Sequence, residues 1–483
     1  MRIVVVGGGI AGLSAAYELQ ECARAMELSP EIVLIEKEGY LGGKIVTERV
    51  DSFVIEGGPD TFVSTKPWGV ALARKLEIEE RLMGTDMERR RVFVVRDGKL
   101  VELPDGLAMM VPTKFWPMIK TSLLSPLGKL RMGLDFFTPP ADGDQDESLG
   151  AFVSRRLGRE VYERLIEPLM SGIYAGDGDR LSLASTFPFL RDWEREHGSL
   201  TGGALALRRK RRAARRSGAP RSIFLTPQNG LGEMVETLQA ALDSVEIRLN
   251  QSVESVVPVD GGFMLQIAGS EPMHATAVIL AAPGFAAAKL VRPFDARLAD
   301  VLDGIEYVST ATVSLAFDQD QLDHGLDGHG YVIPRREGRE ALACTWTSTK
   351  FPHRAPEGGA LVRVFIGRAG QGEEHIADEQ ELIAIARREL AETMGITAEP
   401  KIVRVYQWPD AMPQYNLGHP ERLDKIEQRL ANWPGLALAG AAYKGIGIPD
   451  CIHSGEQAAA SILAHLAIMK DQEDFALQKM EVS

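Results

Sequence analysis

The pattern Gly7-x-Gly9-x-x-Gly12 constrains this chain more than any other feature, because of what flanks it. Before it runs Ile3-Val4-Val5-Val6, a β-branched stretch of the kind buried in parallel sheets. After it, Leu13 to Arg24 has helical spacing, and Ile32-Val33-Leu34-Ile35 reads as a second buried strand. The whole is a βαβ unit with a glycine-rich first turn. Gly7 permits the tight turn, Gly9 leaves room for a pyrophosphate to approach the backbone, and Gly12 lets helix and strand pack closely. Gly8, Ile10 and Ala11 complete the turn, and the helix start offers free N–H groups to phosphate. Glu36 ends the second strand 24 residues after Gly12, placed to accept hydrogen bonds from the adenosine ribose, with Lys37 beside it. An acid there disfavours a 2′-phosphate, and so disfavours NADP. The alternative is a glycine-rich turn with no ligand.

A second glycine pair, Leu41-Gly42-Gly43-Lys44, and a third tight turn, Glu56-Gly57-Gly58-Pro59-Asp60-Thr61, follow. Near the other end, Gly440 to Gln457 carries Gly445-Ile446-Gly447-Ile448-Pro449-Asp450 between the short apolar strand Leu436 to Gly440 and the helical stretch Cys451 to Met469. This turn again aims backbone N–H groups at an anion. One ligand served from both chain ends requires a discontinuous domain. The expected fold is α/β with an α+β substrate part. A discontinuous Rossmann-like dinucleotide-binding domain (1–85, 225–304, 425–483), which resemblance to flavoproteins makes an FAD-binding domain, is joined to a mixed-sheet substrate domain (86–113, 305–424) and a helical insertion (114–224).

The net charge of −13 argues against nucleic-acid partners and leaves any anionic ligand to local cations. Cys22, Cys344 and Cys451 lack the spacing of a disulfide framework or a metal site, and are expected to be thiols in a reducing compartment. No metal is expected. The reading anticipates no signal peptide and no membrane span, hence a cytoplasmic protein. The stretch Leu207 to Pro220, with seven basic residues between Arg208 and Arg216, is expected as an exposed, solvated loop, with peripheral contact to an anionic membrane or a pathway partner as the alternative.

The second glycine pair resembles the flavoprotein signature of the amine oxidase superfamily. Three further blocks resemble the protoporphyrinogen/coproporphyrinogen III oxidase family over essentially the whole chain. They are Glu167-Pro168-Leu169 through Gly172-Ile173-Tyr174-Ala175-Gly176-Asp177, Tyr331-Val332-Ile333-Pro334-Arg335-Arg336-Glu337-Gly338, and Met412-Pro413-Gln414-Tyr415 with Gly418-His419. The resemblance is strongest to the soluble coproporphyrinogen III oxidases of Gram-positive bacteria. Membrane-attached members carry Arg after the Gly-Pro turn and before the glycine of the helical block; here Asp60 and Ser171 stand there.

The resemblance implies noncovalent FAD, a porphyrinogen substrate, dioxygen as electron acceptor, and haem-pathway enzymes as possible partners. It places Gly7, Gly8, Gly9, Ile10, Ala11, Gly12, Glu36, Lys37, Gly42, Gly43, Lys44, Gly58, Pro59, Asp60, Thr61, Val253, Trp408, Gly440, Ile446, Gly447 and Ile448 around FAD. Val253 would meet adenine through its backbone. Lys44 would meet phosphate or a flavin-side oxygen, or else be a plain loop lysine. Gly172 would position the substrate, or else be a turn glycine closing a helix. No residue stands out as a dedicated acid or base. Lys66, then Lys350 and Arg354, are the candidate propionate ligands. The alternatives kept open are protoporphyrinogen IX oxidation, a flavin amine oxidase or carotenoid desaturase, and a flavin-free binding protein resembling the Rab GDP-dissociation inhibitors.

Overall fold

The computed structural model describes residues 1–483 except 27–28, 109–110, 142, 144, 217–221, 372, 377 and 482–483. Its first layer is a five-stranded parallel sheet in the order Val245–Arg248, Glu31–Ile35, Arg2–Val6, Ala277–Leu280, Leu436–Leu438. One sheet thus draws strands from both ends of the chain and from its middle. The strands are apolar along their length because both faces are covered. On one face, Ile3, Val5, Ile32 and Leu34 pack with Leu13, Leu238 and Ile452 from the helices Ile10–Ala25, Gly232–Ala240 and Ile448–Glu481. On the other, Val4, Val33 and Val278 pack with Leu265, Val291 and Leu298.

A seven-stranded mixed sheet forms the second layer, in the order Ile402–Pro413, Tyr307–Asp318, Gly359–Ile366, Ala341–Trp346, Gly330–Val332, Val92–Arg96, Lys99–Glu102. Its pairings are antiparallel except that of Val92–Arg96 with Gly330–Val332. Period-two alternation gives the strand Gly359–Ile366 two unlike faces. Val362 and Val364 enter the core against the helix Glu379–Met394, through Leu382, Ala386 and Leu390. Arg363 and Phe365 point the other way, toward the first layer and the helical insertion.

The helical insertion runs from Phe115 to Arg216 around Leu149, Phe152, Leu157, Leu165 and Met170. Within it Gly158, with φ 98°, closes the helix Leu149–Leu157. One expectation is corrected here. The basic run Arg208–Arg216 is not a loop but the second half of the helix Leu200–Arg216. Buried Leu200 and Ala204 anchor its first turns, Arg208 donates to the Thr113 carbonyl at 3.0 Å, and Arg, Lys and Ala are strong helix formers. Residues 217–220, which the expected loop also included, lie outside the described ones.

Candidate active site

Two glycine-rich turns meet at the C-terminal edge of the parallel sheet. In the first, Gly7 has φ 109°, and a Cβ there would sit 2.5 Å from the Ala281 carbonyl; one at Gly12 would collide with the Gly7 carbonyl. Gly9 differs, because a Cβ built on it meets nothing within 4 Å. The Gly9 position therefore faces open space, as a pyrophosphate cradle at the start of the helix Ile10–Ala25 requires. Glu36 is buried and accepts from the Gly8 N–H at 2.6 Å and the Glu38 N–H at 2.8 Å. That carboxylate sets the height of the turn and keeps further acceptor capacity. Lys37 is exposed and pairs with Glu38 at 3.3 Å. The Gln251 N–H reaches the Glu36 carbonyl at 3.0 Å, bringing the strand that begins at Val253 to the same edge.

Gly42 and Gly43, with φ 103° and 60°, run alongside this turn, the Gly42 N–H donating to the Gly8 carbonyl at 2.9 Å. Lys44 is part-buried, donates to the Ala411 carbonyl, and lies near Cys451; burial pulls its ammonium below the usual lysine range. It is therefore a tethered cation linking the N-terminal segment to the mixed sheet and to the last helix.

The turn at residues 57–61 is pinned from the mixed sheet. The Gly57 carbonyl accepts from Thr312 Oγ1 at 2.9 Å, Trp408 Nε1 at 3.0 Å and Arg363 Nη2 at 3.0 Å, and the same guanidinium nitrogen also reaches the Gly58 carbonyl. Pro59 leads to Asp60, whose Oδ2 pairs with Lys350 Nζ at 2.8 Å while Thr61 Oγ1 donates to Oδ1 at 3.1 Å. Burial alone would raise the Asp60 carboxyl, but Lys350 and Arg363 outweigh it and bring it down to about 2. Arg354 is placed differently from expectation. It is 1% exposed, pairs with Glu56 at 2.7 Å and donates to Thr226 at 2.6 Å, so it is a structural cation inside the layer junction.

At the other end, Gly440 with φ 123° donates its N–H to Ser454 Oγ at 3.0 Å. Tyr415 staples this turn across its width, donating to the Ala441 carbonyl at 2.6 Å and accepting from the Gly445 N–H at 2.9 Å. His419 stacks on Tyr415 at 4.2 Å and contacts the Tyr443 carbonyl at 2.9 Å, which fits a structural role. Ile448 is buried in the core that holds Leu13, while Ile446 packs against the helical insertion. Gly447 accepts from the Cys451 N–H at 3.0 Å, opening the last helix.

The last helix is held to the N-terminal segment in three places. Gly455 lies against the Ala11 carbonyl, where a Cβ would collide. Lys66 Nζ pairs with Asp450 at 2.5 Å, and Trp68 stacks on His453 at 4.0 Å. Gly172 is exposed in the last turn of the helix Glu167–Tyr174, where carbonyls lack intrahelical donors. Ala175, with φ 49°, caps that helix against Ala343 and Leu342 of the mixed sheet. The site therefore lies where all three parts meet. Sequence reasoning missed Arg363, Thr312, Tyr415 and Asp450 as members; a lone cation inside an otherwise apolar strand was the available signal for Arg363.

Comparison with known proteins decides the lineage. Residues 10–463 match the model of the family described as flavin containing amine oxidoreductase. The chain belongs to that family. It is 36% identical to the coproporphyrinogen III oxidase of Bacillus subtilis (strain 168), over 96% of this chain and 98% of that one. It is 34% identical to the coproporphyrinogen III oxidase of Staphylococcus aureus, over 96% and 99%. Protoporphyrinogen oxidase 1 of Arabidopsis thaliana chloroplasts matches at 29% identity, over 95% and 87%. A crystal structure from Exiguobacterium sp. 255-15 superposes with a TM-score of 0.84 at 34% identity, covering 96% of this chain and 99% of that one. The resemblance read from the motifs, the α/β class and a flavin cofactor are thereby borne out. Among the described residues, no helix is long and apolar enough to cross a membrane.

Proposed function

We propose that this chain is an FAD-dependent oxidase that converts coproporphyrinogen III to coproporphyrin III in haem biosynthesis, with dioxygen as the terminal acceptor and hydrogen peroxide released. The observation that carries this reading is the end-to-end match at 36% identity to a protein named coproporphyrinogen III oxidase, which leaves almost no part of either chain uncovered. Relatives named protoporphyrinogen oxidase match at 27–30% identity, so protoporphyrinogen IX is the runner-up substrate.

In this reading, segments 1–85, 225–304 and 425–483 form the flavin-binding unit. Gly7 to Gly12 hold the pyrophosphate, Glu36 the ribose, and Gly42, Gly43, Gly58 to Thr61, Trp408 and Gly440 to Ile448 the rest of the cofactor. FAD, when bound, supplies two-electron oxidation, and the six electrons separating porphyrinogen from porphyrin require three such rounds. The protein's own task is to orient a large, multiply anionic ring and exclude water. Lys66 and Lys350 are the cations toward the propionates, and Gly172 presents a helix-end carbonyl toward the pyrrole N–H groups. The cofactor is held without a covalent bond. Burial keeps the Cys451 thiol up at about 12, so it stays protonated and unreactive near neutral pH.

The protein is placed in the cytoplasm, in peripheral contact with an anionic bilayer. Trp116, Ile119, Leu127, Leu130, Phe136 and Phe137 are exposed on the helical insertion. Arg208, Arg209, Lys210 and Arg212 are exposed on the helix Leu200–Arg216, which packs against the same insertion. Neither stretch 106–134 nor 197–232 contains an acid, in a chain of net charge −13.

A side-by-side rate comparison on coproporphyrinogen III and protoporphyrinogen IX tests the substrate. Faster turnover of coproporphyrinogen III with peroxide release is expected; porphyrin formation from neither would sink the reading. Acid precipitation should release all flavin into the supernatant.

A further inference from the structure

Each of the three sequence-nominated cations is already matched by a carboxylate of the chain itself: Arg354 by Glu56 at 2.7 Å, Lys350 by Asp60 at 2.8 Å and Lys66 by Asp450 at 2.5 Å. They differ in how far solvent reaches them. The Arg354 side chain is 1% exposed and its Glu56 3%, Lys350 16% and its Asp60 19%, Lys66 44% and its Asp450 9%. Breaking a pair strands a desolvated charge where a partner is buried, whereas an exposed charge exchanges partners at little cost. Of the three cations Lys66 stands most open to a carboxylate from outside, and the charge left behind is that of Asp450.

Asp450 is built to let go. It stands in the first turn of the helix Ile448–Glu481, where the helix N-terminus stabilises a carboxylate that has lost its lysine. Its oxygens lie against the C-terminal glycine turn, 2.7 Å from where a Cβ would sit on Gly445 and 2.9 Å from one on Gly447. The pair also borders the aromatic wall of the helical insertion. Burial, with Asp450 adding to it, pushes the Tyr174 phenol up, and Asp450 acts on Tyr415 in the same direction. Lys66 opens the helix Pro67–Lys75, and the Trp68–His453 stack fixes the crossing. The backbone that carries Lys66 is thus fixed against the last helix, and the pair with Asp450 directs its ammonium.

We propose that Asp450 occupies on Lys66 the position of a substrate carboxylate, and that an incoming propionate takes its place. Asp450 is then a specificity-determining residue: it keeps Lys66 pointed and charge-balanced while the site waits, and it sets the threshold that an anionic ring must exceed to enter. This inference rests on the porphyrinogen reading.

The test titrates holoenzyme with coproporphyrin III, a stable tetracarboxylate, and with its tetramethyl ester, following fluorescence quenching. Wild type, Asp450→Asn, Lys66→Ala and the double variant are compared, with flavin content and melting temperature recorded for each. Removing the competing carboxylate should tighten coproporphyrin III binding by up to about fivefold, the worth of an ion pair whose lysine is solvent-exposed. The ester should show no gain, and the gain should vanish in the double variant. Unchanged or weaker binding by Asp450→Asn at full flavin content would overturn the exchange, as would a gain that survives without Lys66. Should Asp450→Asn lose flavin, Asp450→Ser, which keeps a helix-capping oxygen without the charge, must show the same gain or the exchange is wrong. If wild type binds no coproporphyrin III, the substrate reading itself falls, and this inference with it.

Discussion

The Gly57 carbonyl receives three donors from three strands of the mixed sheet, so this one peptide fixes the turn at residues 57–61 to that sheet. Beside it, the Asp60–Lys350–Arg363 cluster gives a testable dependence on acid. Asp60 is held at about 2 against an ordinary 3.8, a depressed carboxyl whose stabilising contribution is present above pH 4 and lost as pH falls toward 2. Asp60→Asn should therefore cost about 2 kcal/mol at neutral pH and flatten the acid limb of an unfolding curve between those values. Equal slopes for both proteins would refute the assignment. Gly9→Val places a side chain in the one open position of the first turn and should abolish flavin binding while leaving the fold intact, read by flavin absorbance and circular dichroism. Lys66→Ala should raise KM for the porphyrinogen several-fold with flavin content unchanged; an unaltered KM and kcat would remove it from the site.

At the scale of elements, the first and last helices cross at Gly455, and each begins at one of the two glycine-rich turns. Gly455→Ala pushes a methyl into the Ala11 carbonyl and should cost about 1–3 kcal/mol, as overpacking typically does. Because the same shift separates the two turns, flavin should be lost below the melting temperature, which calorimetry and flavin fluorescence can time against each other. Much of this layer was legible in the sequence. Unbroken β-branched runs such as Ile3–Val6 and Ile32–Ile35 have only one comfortable place, between covered faces of a parallel sheet, and glycine turns at their ends declare where the ligand side lies. The basic run at Arg208 was misread because charge density speaks to solvation and not to backbone conformation; the anchor, Leu200 and Ala204, lies upstream of it. Partners across the layers were not legible. Nothing local tells that Arg354 meets Glu56 or that Lys66 meets Asp450, since those pairings are made by residues 298 and 384 positions apart.

For the whole molecule, the exposed apolar residues and the basic helix end of the insertion are the feature most at odds with the chain's overall charge. Vesicles of phosphatidylglycerol and phosphatidylcholine should sediment the protein at low salt, and vesicles of phosphatidylcholine alone should not. Trp116→Ala with Phe137→Ala should release it without altering flavin content; sedimentation indifferent to lipid charge would count against this face. The interleaved parallel sheet carries a different consequence, one of timing. A ribosome delivers Arg2–Val6 hundreds of residues before Leu436–Leu438, and the helix bearing the second turn comes later still. The emerging chain must therefore keep an unfinished sheet edge covered until Leu436–Leu438 has been made, and a product terminated before that strand lacks both it and the second glycine-rich turn. If both turns grip flavin as proposed, colour in the purified protein certifies that synthesis has run past them.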